Sequence, residues 1–386
     1  MSPRINRVAS DARPSPTMGA AAGKTSHEDP ISLAVGEPSD PPPPEVGAAA
    51  ERAIAEGRTR YGAVPGLIEL RERVAADHAE RTGAPTSADN VVVTAGGKPA
   101  LMDAMRCILE PGDEVIVPLP AWPTFLDQPR WLGARAVTVP AEADLLPDPD
   151  RVAAACTEHT KIILVNSPGN PSGRVWPQDR MAAIVEIAMQ RDLWLLSDEV
   201  YRDLSLVGPA PEPVSIDPEV ASRTIVIDSF SKRFSMTGWR VGTVTAPAVL
   251  AAAITDLMSS TVTHACAVSQ HAALAALGLD GTWEARRLER HRRCRDRAVA
   301  ALDALDGVTL SGSDSGLYAF PDVSQWVADS GLEDDRALCA HLKDTQGLFL
   351  VPGTPFGAPG RLRLSWSIDE DRLGEALARL RQAQAC

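Results

Sequence analysis

Short apolar runs alternate with helical stretches along the first two-thirds of the chain. The predicted strands span residues 90–94, 114–118, 161–166, 193–197, 224–228 and 241–244. Predicted helices lie among them, for example over 100–109 and 178–190. Because short apolar strands separated by helices form βαβ units, the pattern predicts an α/β fold with a mostly parallel sheet covered by helices on both faces. At 386 residues the chain has room for one large and one smaller lobe.

The ends of the chain differ from this central region. Residues 1–30 are rich in proline and poor in large apolar side chains, so we expect a mobile arm there. Four consecutive prolines, 41–44, predict a stiff extended spacer. Beyond residue 245 we predict long helices over 247–274 and 282–305, and the charged stretch 286–297 of the second is expected to face solvent. Residues 306–386 mix short strands with helices, which indicates a small α+β lobe.

These patterns divide the chain into four predicted parts. They are an N-terminal arm that joins part of the small domain (1–45), the large domain (46–275), an inter-domain helix (276–305) and the C-terminal small domain (306–386).

Composition excludes several classes of partner. The chain has 38 Lys and Arg against 51 Asp and Glu, a net charge of −13, whereas nucleic-acid phosphates require a basic surface. No apolar run approaches the ~18 residues of a membrane span, and no hydrophobic signal core begins the chain. The six cysteines are scattered without a C-x-x-C pair, so we expect small core residues rather than disulfides or a metal site. A cytoplasmic protein without a membrane or nucleic-acid partner is expected.

Polar residues follow several of the predicted strands. They are Gly96 and Gly97, Asn170, Asp198 and Lys232. Ligands of parallel sheets bind beyond the carboxyl ends of the strands. These residues are therefore expected to converge, although they are far apart in sequence.

The stretch 229–240, Ser-Phe-Ser-Lys-Arg-Phe-Ser-Met-Thr-Gly-Trp-Arg, suits a covalently held phosphate compound. Lys232 can form an imine with an aldehyde, while Ser229, Ser231 and Arg240 can donate to phosphate oxygens. A basic surface loop is the alternative interpretation of this stretch. Gly96-Gly97-Lys98 opens a predicted helix, where bare backbone N–H groups and the helix dipole favour phosphate. A pair of glycines before a helix is weak evidence by itself.

The sequence resembles the class I and II pyridoxal-phosphate-dependent aminotransferases from about residue 15 to the C-terminal helix. The resemblance rests on Asn-Pro-Ser-Gly at 170–173, Ser-Asp-Glu-Val-Tyr at 197–201, the stretch 229–240, and Gly-Arg-Leu-Arg-Leu-Ser at 360–365. It implies the aspartate aminotransferase-like fold, in which residues 46–275 bind pyridoxal 5'-phosphate. It also implies a ping-pong transfer of an amino group between an amino acid and a 2-oxo acid.

Four residues are candidates for contacts with the ring of this cofactor. Asp198 could pair with a protonated pyridine nitrogen and keep the ring cationic, although aspartate after a strand also caps helices. Tyr201 and Asn170 could donate to the phenolate oxygen, while the asparagine alternatively serves a turn. Trp122 could stack on the ring, or it could simply pack between prolines.

The resemblance assigns further roles by position. It implies that Lys232 is the cofactor-bound lysine and proton carrier, and that Arg363, with Gly36 and Asn170 beside it, binds the substrate α-carboxylate. Residues at or near the phosphate would be Gly97, Lys98, Ser229, Ser231, Arg240 and, from across a homodimer interface, Tyr61. Each active site would therefore be shared between two subunits.

The substrate is less constrained by the sequence. No Arg or Lys occurs between Arg240 and Arg286, so the distal-carboxylate arginine of one branch of the family is missing. The chain resembles instead a bacterial branch in which a Gly-Gly-Lys lysine and an early threonine take that role, and Lys98 and Thr17 occupy those positions. Aspartate or glutamate is therefore expected as one amino donor, although Lys98 could equally serve only the cofactor phosphate. His264 could line the pocket or pack elsewhere.

Other functions remain open from the sequence alone. The same cofactor could support a lyase, a racemase or an oxidative enzyme of specialised amino-acid metabolism. A non-catalytic regulator would need a DNA-binding arm, but the first 30 or so residues show no helix-turn-helix pattern.

Overall fold

The computed structural model describes residues 4–12, 14–21, 25 and 27–385. The strands are β1 (Ile31–Ser32), β2 (Val91–Thr94), β3 (Glu114–Pro118), β4 (Arg135–Val139), β5 (Thr160–Asn166), β6 (Trp194–Asp198), β7 (Thr224–Ser229), β8 (Gly242–Thr245), β9 (Tyr318–Ala319), β10 (Leu348–Phe349), β11 (Val351–Pro352) and β12 (Leu362–Ser365). The first eight helices are α1 (Arg7–Asp11), α2 (Pro16–Ala21), α3 (Pro44–Ala55), α4 (Ile68–Thr82), α5 (Gly97–Arg106), α6 (Thr124–Trp131), α7 (Pro149–Ala155) and α8 (Gln178–Gln190). The remaining helices are α9 (Pro213–Ile216), α10 (Phe230–Arg233), α11 (Ala248–Ser259), α12 (Ala267–Leu277), α13 (Thr282–Asp303), α14 (Ser324–Asp329), α15 (Asp335–Gln346) and α16 (Glu370–Ala385).

A seven-stranded sheet forms the centre of the large lobe, in the order β2-β8-β7-β6-β5-β3-β4. The five strands from β7 to β4 in this order pair in parallel with one another. Only β8 runs against its neighbours, since it pairs antiparallel with both β2 and β7. The predicted mostly parallel α/β sheet is therefore confirmed.

Helices cover both faces of this sheet. Successive residues of a strand point to opposite faces of the sheet, so a continuous apolar strand offers side chains to helices on both faces. On one face Leu164 of β5 packs in a cluster with Leu101 of α5 and Ile254 of α11. On the other face Ile163, its neighbour in the strand, packs in a cluster with Ile184 of α8.

The small lobe combines the segment around β1 with the C-terminal part of the chain. β1 pairs in parallel with β10, while β9, β12 and β11 form an antiparallel sheet. Trp366, which follows β12 and is fully buried, lies in a cluster with Leu33, Leu338 of α15 and Leu373 of α16. Apolar side chains from the N-terminal segment and the C-terminal helices thus share one core.

Several element boundaries follow the sequence closely, and others do not. β3 and α8 have the predicted bounds. α5 begins three residues before its predicted start, since Gly96, with φ 97°, turns the chain from β2 directly into the helix. β4, α6, α7 and α14 were not predicted. β4 is a partly exposed edge strand without an apolar run, and Pro129 inside α6 argues against a helix.

Three further expectations are corrected. The helix predicted over 247–274 is two helices, α11 and α12, separated at 260–266. The charged stretch of α13 does not face solvent throughout, because Arg287 and His291 are buried. Part of the predicted N-terminal arm is packed, since Ala20 of α2 contacts the cluster around Phe356.

Other expectations for the ends and the cysteines are partly met. Residues 1–3, 13, 22–24 and 26 of the predicted arm, and Cys386, lie outside the described residues. Cys156 and Cys294 are buried as predicted, but Cys266 is exposed. Within the part of the chain that the structure describes, no helix combines the length and apolar character that a membrane crossing requires.

Candidate active site

A cavity of about 510 Å³ lies at the carboxyl ends of the parallel strands. Asn166 ends β5, Asp198 ends β6 and Ser229 ends β7, and all three residues line the cavity. The small lobe contributes Tyr318 of β9 and Arg363 of β12. Ligands of open parallel sheets bind at this edge. The predicted convergence of strand-end residues is therefore observed in the structure.

Lys232 lies in this cavity on the short helix α10, which follows β7 without a loop. Its Nζ donates to the Gly36 carbonyl oxygen at 2.6 Å. Burial lowers the pKa of Lys232 to about 8, although the nearby Glu37 carboxylate acts in the opposite direction. A neutral amine is the form that attacks an aldehyde, so burial favours the reactive state.

Asp198 is a buried carboxylate that lines the cavity. Burial raises its pKa to about 7, the Val200 N–H opposes this shift, and the negative charge of Asp228 adds to it. The Val200 N–H donates to Asp198 Oδ1 at 3.2 Å. A cationic group in the cavity would stabilise the ionised carboxylate, and a protonated pyridine nitrogen is such a group.

Groups that could donate to a phosphate lie at the starts of α10 and α5. Ser229 Oγ lies 2.9 Å from Ser231 Oγ and accepts the Ser231 backbone N–H at 3.2 Å. Gly97, the first residue of α5, and Arg240 line the same cavity. Hydroxyls, a helix N-terminus and a guanidinium are suitable donors to a phosphate dianion.

Gly96 supports this arrangement from outside the cavity lining. A Cβ atom at Gly96 would lie 2.6 Å from Arg240 Nη2, so a side chain at this position would displace the guanidinium. Arg240 itself has a left-handed backbone, φ 53°, and its Nη1 donates to the Thr237 carbonyl at 2.7 Å. The predicted glycine pair therefore serves two purposes: Gly97 borders the cavity, while Gly96 makes room for Arg240.

Tyr201 and Asn170, the predicted partners of a ring oxygen, also line the cavity. The Tyr201 hydroxyl lies 2.9 Å from that of Tyr318. Asn166 holds the backbone of Asn170 in place, because its Oδ1 accepts the Asn170 N–H at 2.9 Å. Its Nδ2 donates to the Asp198 carbonyl at 3.2 Å. Asn166 thus links two adjacent strand ends.

Tyr318 was missed by the sequence analysis. It is one of three tyrosines in the chain, and the other two were assigned to the cofactor. Its hydroxyl approaches the N-terminal segment so closely that a Cβ atom at Gly36 would lie 1.6 Å from it. The tyrosine therefore explains why glycine stands at position 36, which the resemblance placed beside the substrate carboxylate.

Arg363 is a buried cation, with 2% of the residue exposed. Its Nη1 donates to Asn170 Oδ1 at 3.0 Å, Nη2 donates to the Ala34 carbonyl, and the guanidinium lies 4.5 Å from the Tyr318 ring centroid. Within the described residues, its buried Nε has no hydrogen-bond partner. Burial lowers the pKa of Arg363, and an anionic ligand would offset this cost. A carboxylate matches the geometry of the guanidinium.

Thr17, Lys98 and Trp122 line the same cavity. Lys98 Nζ lies 4.9 Å from the Trp122 ring centroid, in a cation–π contact. Burial lowers the pKa of Lys98, and the charge of Arg240 adds to this effect. The cavity thus holds a second group of cations in addition to Arg363.

Tyr61 and His264, like Gly96, lie outside the cavity lining. Tyr61 is 89% exposed in the single chain. His264 packs against it, with ring centroids 5.9 Å apart and an interplanar angle of 88°. His264 is therefore a packed residue in the single chain, which is the second of the two alternatives that the sequence left open.

The donor set fits pyridoxal phosphate. A buried amine with a lowered pKa suits its aldehyde, a buried carboxylate suits its ring nitrogen, and the glycine, hydroxyl and guanidinium cradle suits its phosphate. Lys232, Asp198, Gly97, Ser229, Ser231 and Arg240 would supply these groups.

Comparisons with known proteins agree with this site. The family model for aminotransferase class I and II matches residues 28–380. A probable aspartate/prephenate aminotransferase of Thermus aquaticus is 37% identical over 92% of this chain and 91% of its own length. An arginine–pyruvate transaminase of Pseudomonas aeruginosa is also 37% identical, over 92% of this chain and 89% of that protein. The structure of aspartate aminotransferase from Thermus thermophilus with maleate has a TM-score of 0.91, at 31% identity over 99% of this chain and all (100%) of that one. The chain therefore belongs to the class I and II aminotransferases, which act with pyridoxal phosphate on amino acids and 2-oxo acids.

Proposed function

We propose that this aminotransferase uses an acidic amino acid, aspartate or glutamate, as one amino donor. The observation that carries the proposal is the presence of two separate cationic groups in one cavity, Arg363 in the small lobe and Lys98 at the start of α5. An amino acid with a second carboxylate can use both groups. A neutral amino acid can use only one of them.

The relatives support this choice without deciding it. The Thermus aquaticus relative is named for aspartate and prephenate, and the Thermus thermophilus structure contains maleate, itself a dicarboxylate. The Pseudomonas aeruginosa relative, at the same identity, is named for arginine and pyruvate. Relatives at the same identity are named for different substrates, so our proposal rests on the charged residues of the cavity.

The roles that we propose for the protein follow from its geometry. Bound pyridoxal phosphate supplies an electron sink for the electrons of the substrate Cα–H bond. Arg363 would hold the α-carboxylate in a bidentate contact, which orients that bond. Lys232, as a neutral amine, would take the proton from Cα and later deliver it. Asp198 would keep the positive charge on the ring nitrogen, and Tyr201 would donate to the ring oxygen.

A second role is open to Lys98. It lies beside Arg240, which belongs to the proposed phosphate cradle, so its ammonium could neutralise the cofactor phosphate instead. The two roles differ in their consequences. A phosphate contact affects every substrate equally, whereas a contact with the distal carboxylate affects only acidic donors.

Replacing Lys98 by alanine separates these roles. If the ammonium contacts a distal carboxylate, kcat/KM for aspartate falls by about ten- to a hundredfold, because a charge-assisted contact contributes roughly 1.5–3 kcal/mol. kcat/KM for leucine should change by less than about twofold. The measurement is steady-state kinetics with both donors at saturating pyridoxal phosphate.

Lys161→Ala is the matched control. Lys161 lies near the start of β5, at the end of the strand away from the cavity, and its side chain is 46% exposed. This variant should resemble the wild type with both donors. Equal losses for aspartate and leucine in Lys98→Ala, with weaker cofactor retention, would contradict the acidic-donor proposal and assign Lys98 to the phosphate.

We also propose a homodimer in which Tyr61 of each chain reaches the cofactor phosphate of the other. The exposure of Tyr61 and its position outside the cavity of its own chain support this arrangement. The four-part domain division and the cytoplasmic location stay predictions.

A further inference from the structure

The segment between α11 and α12 contacts the loop that carries Tyr61. His264 Nε2 accepts the Gly62 backbone N–H at 3.2 Å, and its Nδ1 lies 2.6 Å from the Ala265 carbonyl oxygen. A carbonyl can only accept, so the tautomer with its proton on Nδ1 satisfies both contacts. The same ring packs edge-on against Tyr61.

The other contacts of this loop lie further along it. The Leu67 N–H donates to Gln270 Oε1 at 2.6 Å, and the Val93 N–H donates to the Pro65 carbonyl at 2.9 Å. These bonds fix residues 65–67. His264 instead contacts Gly62, the residue directly after Tyr61.

The backbone around His264 is held in an unusual conformation. Thr263, a β-branched residue, has φ 64°, in the left-handed region that such residues rarely adopt. The Thr263 N–H donates to the Met258 carbonyl at 2.9 Å, and the His264 N–H donates to the Val262 carbonyl at 2.8 Å. The segment is therefore bonded at each of these positions, which directs the imidazole toward Gly62.

We propose that His264 is a positioning residue for Tyr61. Through the Gly62 N–H and the ring contact, it holds the phenol in the orientation from which it reaches the cofactor phosphate of the partner subunit. An exposed tyrosine that is already ordered loses less conformational entropy on contact than a free one. The inference rests on the proposed homodimer, in which Tyr61 contacts that phosphate.

His264→Ala and His264→Gln test the role of the imidazole. Alanine removes both contacts, so the Kd for pyridoxal phosphate should rise by about three- to tenfold, the effect of losing one ordinary hydrogen bond. Glutamine places an amide oxygen near the position of Nε2 but removes the ring contact, so its Kd should lie between those of His264→Ala and the wild type. His159→Ala, at an exposed position, is the matched control.

Amide hydrogen exchange gives a readout that needs no cofactor. In the apoenzyme, a peptide that covers residues 59–66 should exchange faster in His264→Ala than in the wild type, and His264→Gln should restore the protection. Unchanged exchange of this peptide in His264→Ala would overturn the inference.

A double-mutant cycle with Tyr61→Phe shows whether the histidine acts through the phenol. If it does, His264→Ala weakens cofactor binding in the wild type but adds nothing when Tyr61 is already phenylalanine. Equal effects of His264→Ala in both backgrounds would overturn the inference. An unchanged Kd for Tyr61→Phe alone would overturn the proposed cross-subunit contact, and the inference with it; the two failures are thus distinguishable.

Discussion

The ionisable side chains of the cavity share one physical condition, which is burial. It raises the pKa of Asp198 to about 7, lowers the pKa of Lys232 to about 8, and lowers the pKa of Arg363. In each case desolvation, rather than a neighbouring charge, is the largest cause. A charged group that is buried before its ligand binds destabilises the free protein. The cofactor and the substrate would offset that cost.

Asp198→Asn should therefore stabilise the apoenzyme at alkaline pH. The carboxyl has a pKa of about 7 in the folded protein against an ordinary value of 3.8, so the folded state binds more protons between these values. Stability consequently falls as pH rises through this window, by an amount on the order of a few kcal/mol. At pH 8 the apo variant should unfold roughly 2–5 °C above the wild type. At pH 3.5 the two should coincide, as thermal denaturation can show.

Glu51→Gln, on the exposed side of α3, is the control for loss of one negative charge. It should leave the unfolding temperature nearly unchanged at both pH values. With added pyridoxal phosphate the wild type should instead have the higher unfolding temperature, since only the carboxylate of Asp198 pairs with the ring nitrogen. A variant less stable than the wild type at pH 8 would show that Asp198 has a structural role instead.

Gly36, Thr17 and Arg363 of the cavity were predicted only from the family resemblance. Other cavity residues were predicted because they follow a strand, and the edge of a parallel sheet brings strand ends together. Lys232, Asp198 and Asn170 are examples. The same reasoning could not find Tyr318, because this residue lies within a short strand near the C-terminus and does not follow a strand of the central sheet. It also could not separate Gly96 from Gly97, because the difference arises from the guanidinium of a residue far away in sequence.

At the scale of elements, the short segment after β1 connects the two lobes at the cavity. Its Ala34 carbonyl accepts from Arg363 of the small lobe, and its Gly36 carbonyl accepts from Lys232 of the large lobe. Glu37 adds an oxygen that accepts from the Thr237 hydroxyl. These three hydrogen bonds therefore depend on the backbone path of residues 34–37.

Gly36→Ala should disturb this path. The new Cβ atom would lie 1.6 Å from the Tyr318 hydroxyl, so either the segment or the tyrosine must move. We expect kcat/KM to fall by more than about tenfold, because small displacements of positioning groups are costly. Stability should change less, since the core of the small lobe is not altered. Kinetics and thermal unfolding of one preparation measure both.

Gly47→Ala is the matched control. Gly47 lies in α3, and a Cβ atom there would meet nothing within 4 Å. Alanine in a helix should stabilise the protein by roughly 0.5–1 kcal/mol without a change in activity. Full activity of Gly36→Ala would mean that Tyr318 can move without consequence for the reaction.

The break between α11 and α12 shows where helix prediction failed. The segment from 259 to 263 reads Ser-Ser-Thr-Val-Thr, and these residues are weaker helix formers than the alanines on either side. The sequence therefore contained a signal for a break in the helix at this segment. It did not indicate how the helix ends, which is a left-handed backbone at Thr263, φ 64°, whose N–H donates to the Met258 carbonyl at 2.9 Å.

At the scale of the whole molecule, several exposed apolar side chains belong to elements that pack on one another. Ile54 of α3, Ile68 of α4, Tyr61 and Val262 are all at least 47% exposed. α12, which follows the segment with Val262, packs against both α3 and α4. Such a group of side chains suits the proposed contact between two copies of the chain.

Mixing two inactive variants tests the shared site. Subunit exchange in a 1:1 mixture of Lys232→Ala and Tyr61→Ala chains should form heterodimers. In each heterodimer, one active site contains both substitutions and the other contains neither. About one quarter of all sites should then be intact, and activity at limiting pyridoxal phosphate should exceed that of either variant alone. Absence of recovery after verified subunit exchange would show that Tyr61 serves its own chain or has no role.

The pairing of β1 with β10 also has a consequence for biosynthesis. Ser32 can pair with Phe349 only after the ribosome has added Phe349, about 15–60 s later at typical rates of roughly 5–20 residues per second. Meanwhile the strands between residues 91 and 245 are complete and can pair among themselves. The N-terminal segment, which closes the catalytic cavity, is thus made first and docks among the last. A nascent chain that stalls before residue 348 would carry a folded sheet without a usable active site.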